Sequence, residues 1–116
     1  MSQIISENKD SKLILKIEGE FTEKDLINEF NKLTLDYLQE SSTKGIIPKI
    51  IIDLEKITLT RAVGLGAMLL AYRKVMPLQG AVMLANLKKG QVKTLIDLTR
   101  LNQVLTVCSM KEALLK

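Results

Sequence analysis

The chain has 116 residues but no histidine and only one cysteine, Cys108. The absence of histidine removes the commonest general base, the commonest zinc ligand and every Ser-His or Cys-His nucleophile arrangement. A single cysteine excludes an internal disulfide, a cysteine-rich zinc site and a Cys-x-x-Cys redox pair. We therefore expect a protein that is not an enzyme and that uses no metal or cofactor. We interpret Cys108 as a small buried hydrophobe in a strand.

Aromatic residues are also scarce, with two Tyr, two Phe and no Trp. Nucleic-acid binding is disfavoured because the chain has few aromatic side chains on which bases could stack and no known sequence signature of a DNA-recognition helix. Direct membrane insertion is disfavoured because no apolar run approaches ~20 residues and no basic amphipathic helix carries aromatic anchors. The start, MSQIISENKD, lacks the basic end and apolar core of a signal peptide. We expect a cytoplasmic protein.

Acidic residues are nearly missing from the second half of the chain. Residues 1–58 contain 8 basic and 11 acidic side chains, whereas residues 59–116 contain 9 basic and 2 acidic ones. No acid lies between Lys56 and Ile96. This block favours an acidic partner surface, a lipid headgroup or a phosphate backbone. The alternative is a solvated surface whose charges are balanced in space by the acidic first half.

Helical and strand patterns alternate along the chain. Alternation from Lys12 to Gly19 and the isoleucine run at 50–52 predict strands, as do AVMLA and VLTVC. Helical patterns cover 21–40, 65–75, 90–103 and the segment after Ser109, with capping-box pairs at Thr22/Asp25 and Ser109/Glu112. We predict one α/β domain over 1–116, with a mixed β-sheet of about four to five strands flanked by about four helices, mainly on one side.

The segment ITLTRAVGLGAML, residues 57–69, reads as a strand exit followed by a helix start. A cation such as Arg61 is disfavoured at a helix N-terminus by about 0.3–1 kcal/mol, so its presence needs a reason. Gly64 and Gly66 match no phosphate-loop motif; we expect them to permit close approach to a neighbouring backbone. Thr58 and Thr60 are interpreted as turn or N-cap residues. We expect Asp53 to accept backbone N–H groups rather than to act in a carboxylate pair.

Over nearly the whole chain the sequence resembles the STAS domain of bacterial anti-sigma-factor antagonists. Its landmarks are IEGEF, IIIDL, GLGAML, AVMLA, LTRLNQVLTV and SMKEAL, in that order. The resemblance implies a mixed sheet flanked by helices. In that family a kinase with a histidine-kinase-like ATP-binding fold phosphorylates a serine or threonine just before Gly-Leu-Gly, and phosphorylation releases the partner. The sequence departs from the family there and at Thr22, where an acidic residue is common.

The equivalent positions here are Arg61, Ala62 and Val63. The phospho-acceptor position is therefore degenerate: it is Ala62, which has no hydroxyl to phosphorylate. The resemblance implies a constitutive, non-enzymatic protein-binding domain that binds an anti-sigma factor or switch kinase, or scaffolds a signalling complex. Its predicted partner-binding residues are Thr60, Arg61, Ala62, Val63, Gly64 and Leu65.

Three alternatives stay open. STAS domains also serve as cytoplasmic subunits of lipid-transporting ABC systems, where the corresponding helix end docks on the ATPase. An enzyme or small-molecule sensor is the second alternative, with no visible catalytic constellation to support it. An exposed N-terminal edge strand could also pair with a second copy to give a homodimer.

Overall fold

Six strands and four helices make up the computed structural model, which describes residues 2–116. The strands are β1 (Gln3–Lys9), β2 (Lys12–Phe21), β3 (Lys49–Asp53), β4 (Ile57–Thr60), β5 (Ala81–Ala85) and β6 (Thr106–Cys108). The helices are α1 (Lys24–Lys44), α2 (Ala62–Val75), α3 (Gln91–Leu98) and α4 (Met110–Leu115). Short 3₁₀ turns occupy Met76–Leu78 and Leu101–Gln103.

The sheet is mixed, as the sequence predicts, and runs in the order β1-β2-β3-β5-β6. Only β1 and β2 are antiparallel; β3, β5 and β6 add in parallel. β4 pairs in parallel with the end of β2, beyond a register shift at Gly19/Glu20, while β3 pairs with the earlier part of β2. β4 makes the sheet one strand larger than the four or five strands expected, because its sequence, ITLT, reads as a strand exit rather than as a strand of its own.

The two faces of the sheet are covered unequally. The larger core packs α1, α2 and α3 against one face, and its completely buried side chains include Leu15, Ile50, Phe30, Met68 and Ile96. The second face has a small cluster in which Ala113 of α4 packs with Ile14, Ile51 and Met83. The prediction that helices lie mainly on one side is therefore confirmed. Among residues 2–116, none of the helices combines the length and apolar character needed to cross a membrane.

The two predicted capping boxes have different outcomes. At α4 the prediction is confirmed: Ser109 Oγ accepts the Glu112 N–H at 3.1 Å, and Glu112 Oε1 accepts the Ser109 N–H at 3.2 Å. At α1 it is wrong, because the N-cap is Glu23, whose side chain makes no capping bond. β2 extends through Phe21, so the helix begins two residues after the predicted Thr22 cap.

The C-terminal third departs most from its sequence pattern. The helix predicted over 90–103 ends at Leu98, because Arg100 adopts a left-handed conformation with φ 59° that a continuous helix cannot contain. The strand predicted from Val104 begins only at Thr106. Cys108, at the end of that edge strand, is half-buried rather than fully buried, and burial raises the pKa of its thiol.

Candidate functional site

The junction between β4 and α2 places three consecutive side chains in solvent. Arg61, Ala62 and Val63 are all exposed, with Val63 retaining 52% of its accessible surface. We call these three residues the α2 entry. Arg61 is the N-cap of α2 and has an extended backbone, φ −134° and ψ −178°. The α2 entry is therefore a short apolar and cationic surface at the start of a 14-residue helix.

The other three predicted partner-binding residues are buried and form the base of this surface. Thr60 is completely buried, Gly64 is buried, and Leu65 is 6% exposed within the main core. Thr60 is neither the turn residue nor the N-cap that the sequence suggested: it ends β4, and its Oγ1 donates to the Phe21 carbonyl at 2.9 Å. Of the six predicted partner-binding residues, the three of the α2 entry are therefore the accessible ones, because the other three are buried.

Gly64 is required by close packing. A methyl group there would overlap Thr60 Oγ1 and come within 2.7 Å of the Phe21 carbonyl oxygen. The expected close backbone approach is therefore confirmed for Gly64. It is wrong for Gly66, where an added methyl group would meet nothing within 4 Å. The first turn of α2 can pack this closely against the ends of β4 and β2 because residue 64 has no Cβ.

Gln91, the first residue of α3, bonds to the same junction from the other side. We call its two side-chain hydrogen bonds to Thr60 the Gln91 clamp. Its Oε1 accepts the Thr60 N–H at 3.0 Å and its Nε2 donates to the Thr60 carbonyl at 2.8 Å. No sequence pattern predicts this contact, because Gln91 lies 31 residues from Thr60 along the chain, at an ordinary helix start. The backbone immediately before Arg61 is therefore held by β2 on one side and by α3 on the other.

Asp53 has the structural role expected from the sequence. It is 5% exposed, and its Oδ1 accepts the Glu55 N–H at 3.0 Å and the Asn86 Nδ2 at 3.1 Å. The bond from Asn86 joins the ends of β3 and β5. In the part of the chain described, no cluster of three or more His, Cys, Asp or Glu side chains could hold a metal ion.

The cations near the α2 entry lack acidic partners. Ion pairs within residues 2–116 join Lys44 to Glu40, Lys56 to Glu18, and Lys93 to Asp97. Arg61, Lys88 and Lys89 take part in none of them, and all three are exposed. Since the first turn of α2 contains no acidic residue either, Arg61 gives this edge of the molecule a positive charge at the α2 entry.

Comparison with known proteins identifies the fold. No family model and no curated protein sequence matches the chain. Among solved structures, a candidate anti-sigma factor antagonist from Thermotoga maritima is similar, with a TM-score of 0.79 and 18% identity over 96% of this chain and 91% of that one. A STAS-domain anti-sigma-factor antagonist protein from Planctomyces limnophilus matches with a TM-score of 0.74 and 17% identity, covering 99% and 97% of the two chains.

The phosphorylated form of SpoIIAA, a cell-fate determinant of Bacillus, matches with a TM-score of 0.69 and 15% identity, covering 98% of this chain and 96% of that one. The chain therefore has the STAS-domain fold, and the fold predicted from its landmarks is confirmed. At these identities the likeness establishes architecture alone.

Proposed function

We propose that the protein is a non-enzymatic regulatory domain that binds a protein partner through the α2 entry, as the resemblance to anti-sigma-factor antagonists implies. The main support is that the side chains of the α2 entry are exposed while the backbone beneath them is held in place. Close packing at Gly64 holds it on one side, and the two hydrogen bonds from Gln91 to Thr60 hold it on the other. A preorganised surface loses little conformational entropy when a partner docks on it. The partner is an anti-sigma factor or a kinase with a histidine-kinase-like ATP-binding fold.

The same geometry offers an explanation for a cation, Arg61, at the N-terminus of α2. In the family, a phosphate at this helix start would add about 1.5–2 negative charges and alter docking. Here the position equivalent to the phospho-acceptor is Ala62, which cannot be phosphorylated, and the residue before it is a cation without an ion-pair partner among residues 2–116. The α2 entry is then a permanently cationic surface that favours an acidic partner and is not switched by phosphorylation at residue 62.

Affinity purification from the source organism tests this function, with wild type, Arg61→Glu and Arg73→Glu as parallel baits and mass spectrometry as the readout. Arg73 is the matched control because it is exposed, lies in the last turn of the same helix and undergoes the same charge reversal. We expect a kinase-like anti-sigma factor with wild type and Arg73→Glu, and its loss with Arg61→Glu.

Two other outcomes carry a different meaning. Recovery of an ABC ATPase with its permease would replace the leading partner with the transport alternative while leaving the docking surface in place. Equal recovery with all three baits, or no specific protein with any, would contradict the role of the α2 entry.

A further inference from the structure

A second feature of the same edge is a surface cavity of about 280 Å³ between two connecting segments. One wall consists of Leu54 and Glu55, after β3, and of Ile57 and Thr58 at the start of β4. The other consists of Leu87 to Gly90, after β5, and of Gln91 and Val92 at the start of α3. Because β3 and β5 are parallel, both segments leave the sheet at its carboxyl edge. Open α/β sheets bind ligands preferentially in crevices at this edge.

The lining of the cavity divides into an apolar part and a polar rim. Leu54, Ile57, Leu87 and Val92 supply the apolar part. Two cations, one carboxylate and one hydroxyl line the cavity beside them, from Lys88, Lys89, Glu55 and Thr58. Small-molecule sites combine apolar side chains with polar groups that orient the ligand; polar and apolar surface contribute about equally here, and the volume is close to the lower end of such sites, about 300 Å³.

The two lysines are free to bind an anion. Neither is joined to a carboxylate in the ion pairs of residues 2–116, and both side chains are exposed at the rim. Lysine ammonium groups outside such ion pairs can bind a phosphate, and Glu55 is the one carboxylate that lines the same cavity. Glu55 would repel a ligand that is anionic throughout, but a carboxylate and a hydroxyl can accept hydrogen bonds from ligand hydroxyl groups.

The wall of the cavity that carries the lysines is held in place at its end. Gly90, which follows Lys89, has φ 151° and ψ −169°, a region that only glycine readily adopts. The next residue, Gln91, also lines the cavity and is held by its two bonds to Thr60. The lysine-bearing wall of the cavity is thus anchored to β4 at the start of α3.

We propose that this cavity binds a small phosphorylated molecule that carries free hydroxyl groups. Lys88 and Lys89 contact its phosphate, Glu55 and Thr58 accept from its hydroxyls, and the four apolar residues contact its carbon skeleton. This site is separate from the partner-docking role of the α2 entry and does not depend on it.

Heteronuclear NMR titration of the full chain tests the proposal with three probes at equal ionic strength: ribose 5-phosphate, inorganic phosphate and ribose. We expect ribose 5-phosphate to shift the amide signals of residues 55–58 and 88–91 saturably, with an affinity at least fivefold above that of either fragment. The double variant Lys88→Ala/Lys89→Ala is expected to weaken binding at least tenfold. Glu55→Gln is expected to weaken ribose 5-phosphate more than inorganic phosphate.

The matched control is Arg73→Ala/Lys74→Ala, which removes the same charge from two adjacent cations at the opposite edge of the sheet, before β5 begins. It should leave affinity within twofold of wild type. An equal loss in both double variants, shifts spread over lysines elsewhere, no saturable shift, or equal affinity for inorganic phosphate and ribose 5-phosphate would each overturn the proposal.

Discussion

The side chain of Gln91 acts as a one-residue strand partner for Thr60. Its amide satisfies both the N–H and the C=O of Thr60, at 3.0 and 2.8 Å, on the side of β4 that β2 leaves open. Backbone groups at the end of a short strand would otherwise need water or another strand. A helix residue thereby completes the sheet where the α2 entry begins.

Removing this clamp should cost stability. We expect Gln91→Ala to lower the free energy of unfolding by about 1–3 kcal/mol, since two hydrogen bonds of roughly 0.5–1.5 kcal/mol each are lost. Urea denaturation measures this, and amide exchange should quicken at Thr60. Gln39→Ala, at an exposed position of α1, is the control and should change stability by less than about 0.5 kcal/mol. Equal effects of the two variants would remove Gln91 from this role.

The paired glycines of α2 should respond in opposite directions to the same substitution. Gly64→Ala is expected to destabilise by about 1–3 kcal/mol, because the methyl group would overlap Thr60 Oγ1 and crowd the Phe21 carbonyl. Gly66→Ala has open space and a helical backbone, so it should stabilise by up to about 1 kcal/mol. Thermal unfolding of both variants checks this, and a stable Gly64→Ala would show that the junction can relax.

Arg61 should show a conflict between stability and binding. Its extended N-cap backbone suits an aspartate, whose carboxylate can accept an N–H of the first turn. We expect Arg61→Asp to raise the free energy of unfolding by about 1 kcal/mol, since it adds a cap and removes a cation from the helix N-terminus. The same variant should lose the partner. Loss of both stability and binding would indicate instead that Arg61 holds the fold.

The α4 capping box should make stability dependent on pH in the acidic range. The Ser109 backbone N–H, and then its side chain, hold the pKa of Glu112 below its ordinary value of 4.5. A lowered folded-state pKa stabilises above the ordinary value, and the contribution disappears as pH falls through the lowered one.

We therefore expect the stability difference between wild type and Glu112→Gln to shrink as pH drops below 4.5. An NMR titration of the Glu112 carboxyl should give a midpoint under that value. Ser109→Ala should return the midpoint only part of the way, because the backbone donor remains. A wild-type midpoint at or above 4.5 would show that the capping box does not form in solution.

Much of the fold follows from local pattern because the signals are strong where burial is complete. The isoleucine run of β3 and the AVMLA segment of β5 are central strands, and the sequence predicts them as buried strands. Prediction fails where tertiary contacts decide. Thr22 looks like a cap, but β2 continues past its predicted end at Gly19 because β4 supplies a partner.

The candidate site was only partly predictable for the same reason. Exposure of Arg61 and burial of Leu65 depend on how the first turn of α2 is oriented, which the packing of Gly64 against Thr60 and Phe21 fixes. The Gln91 clamp joins residues 31 apart and has no sequence signature. The cavity at Lys88 depends on the spacing of two loops, which no local pattern encodes.

The strand order also bears on how the chain folds during synthesis. With β1-β2-β3-β5-β6 in sequence order, each strand made later has an open sheet edge to join, and β4 has the unpaired end of β2. No strand has to enter between two that are already paired. The sheet can grow from its N-terminal hairpin outward, so the slow search for distant parallel partners is divided into short successive steps.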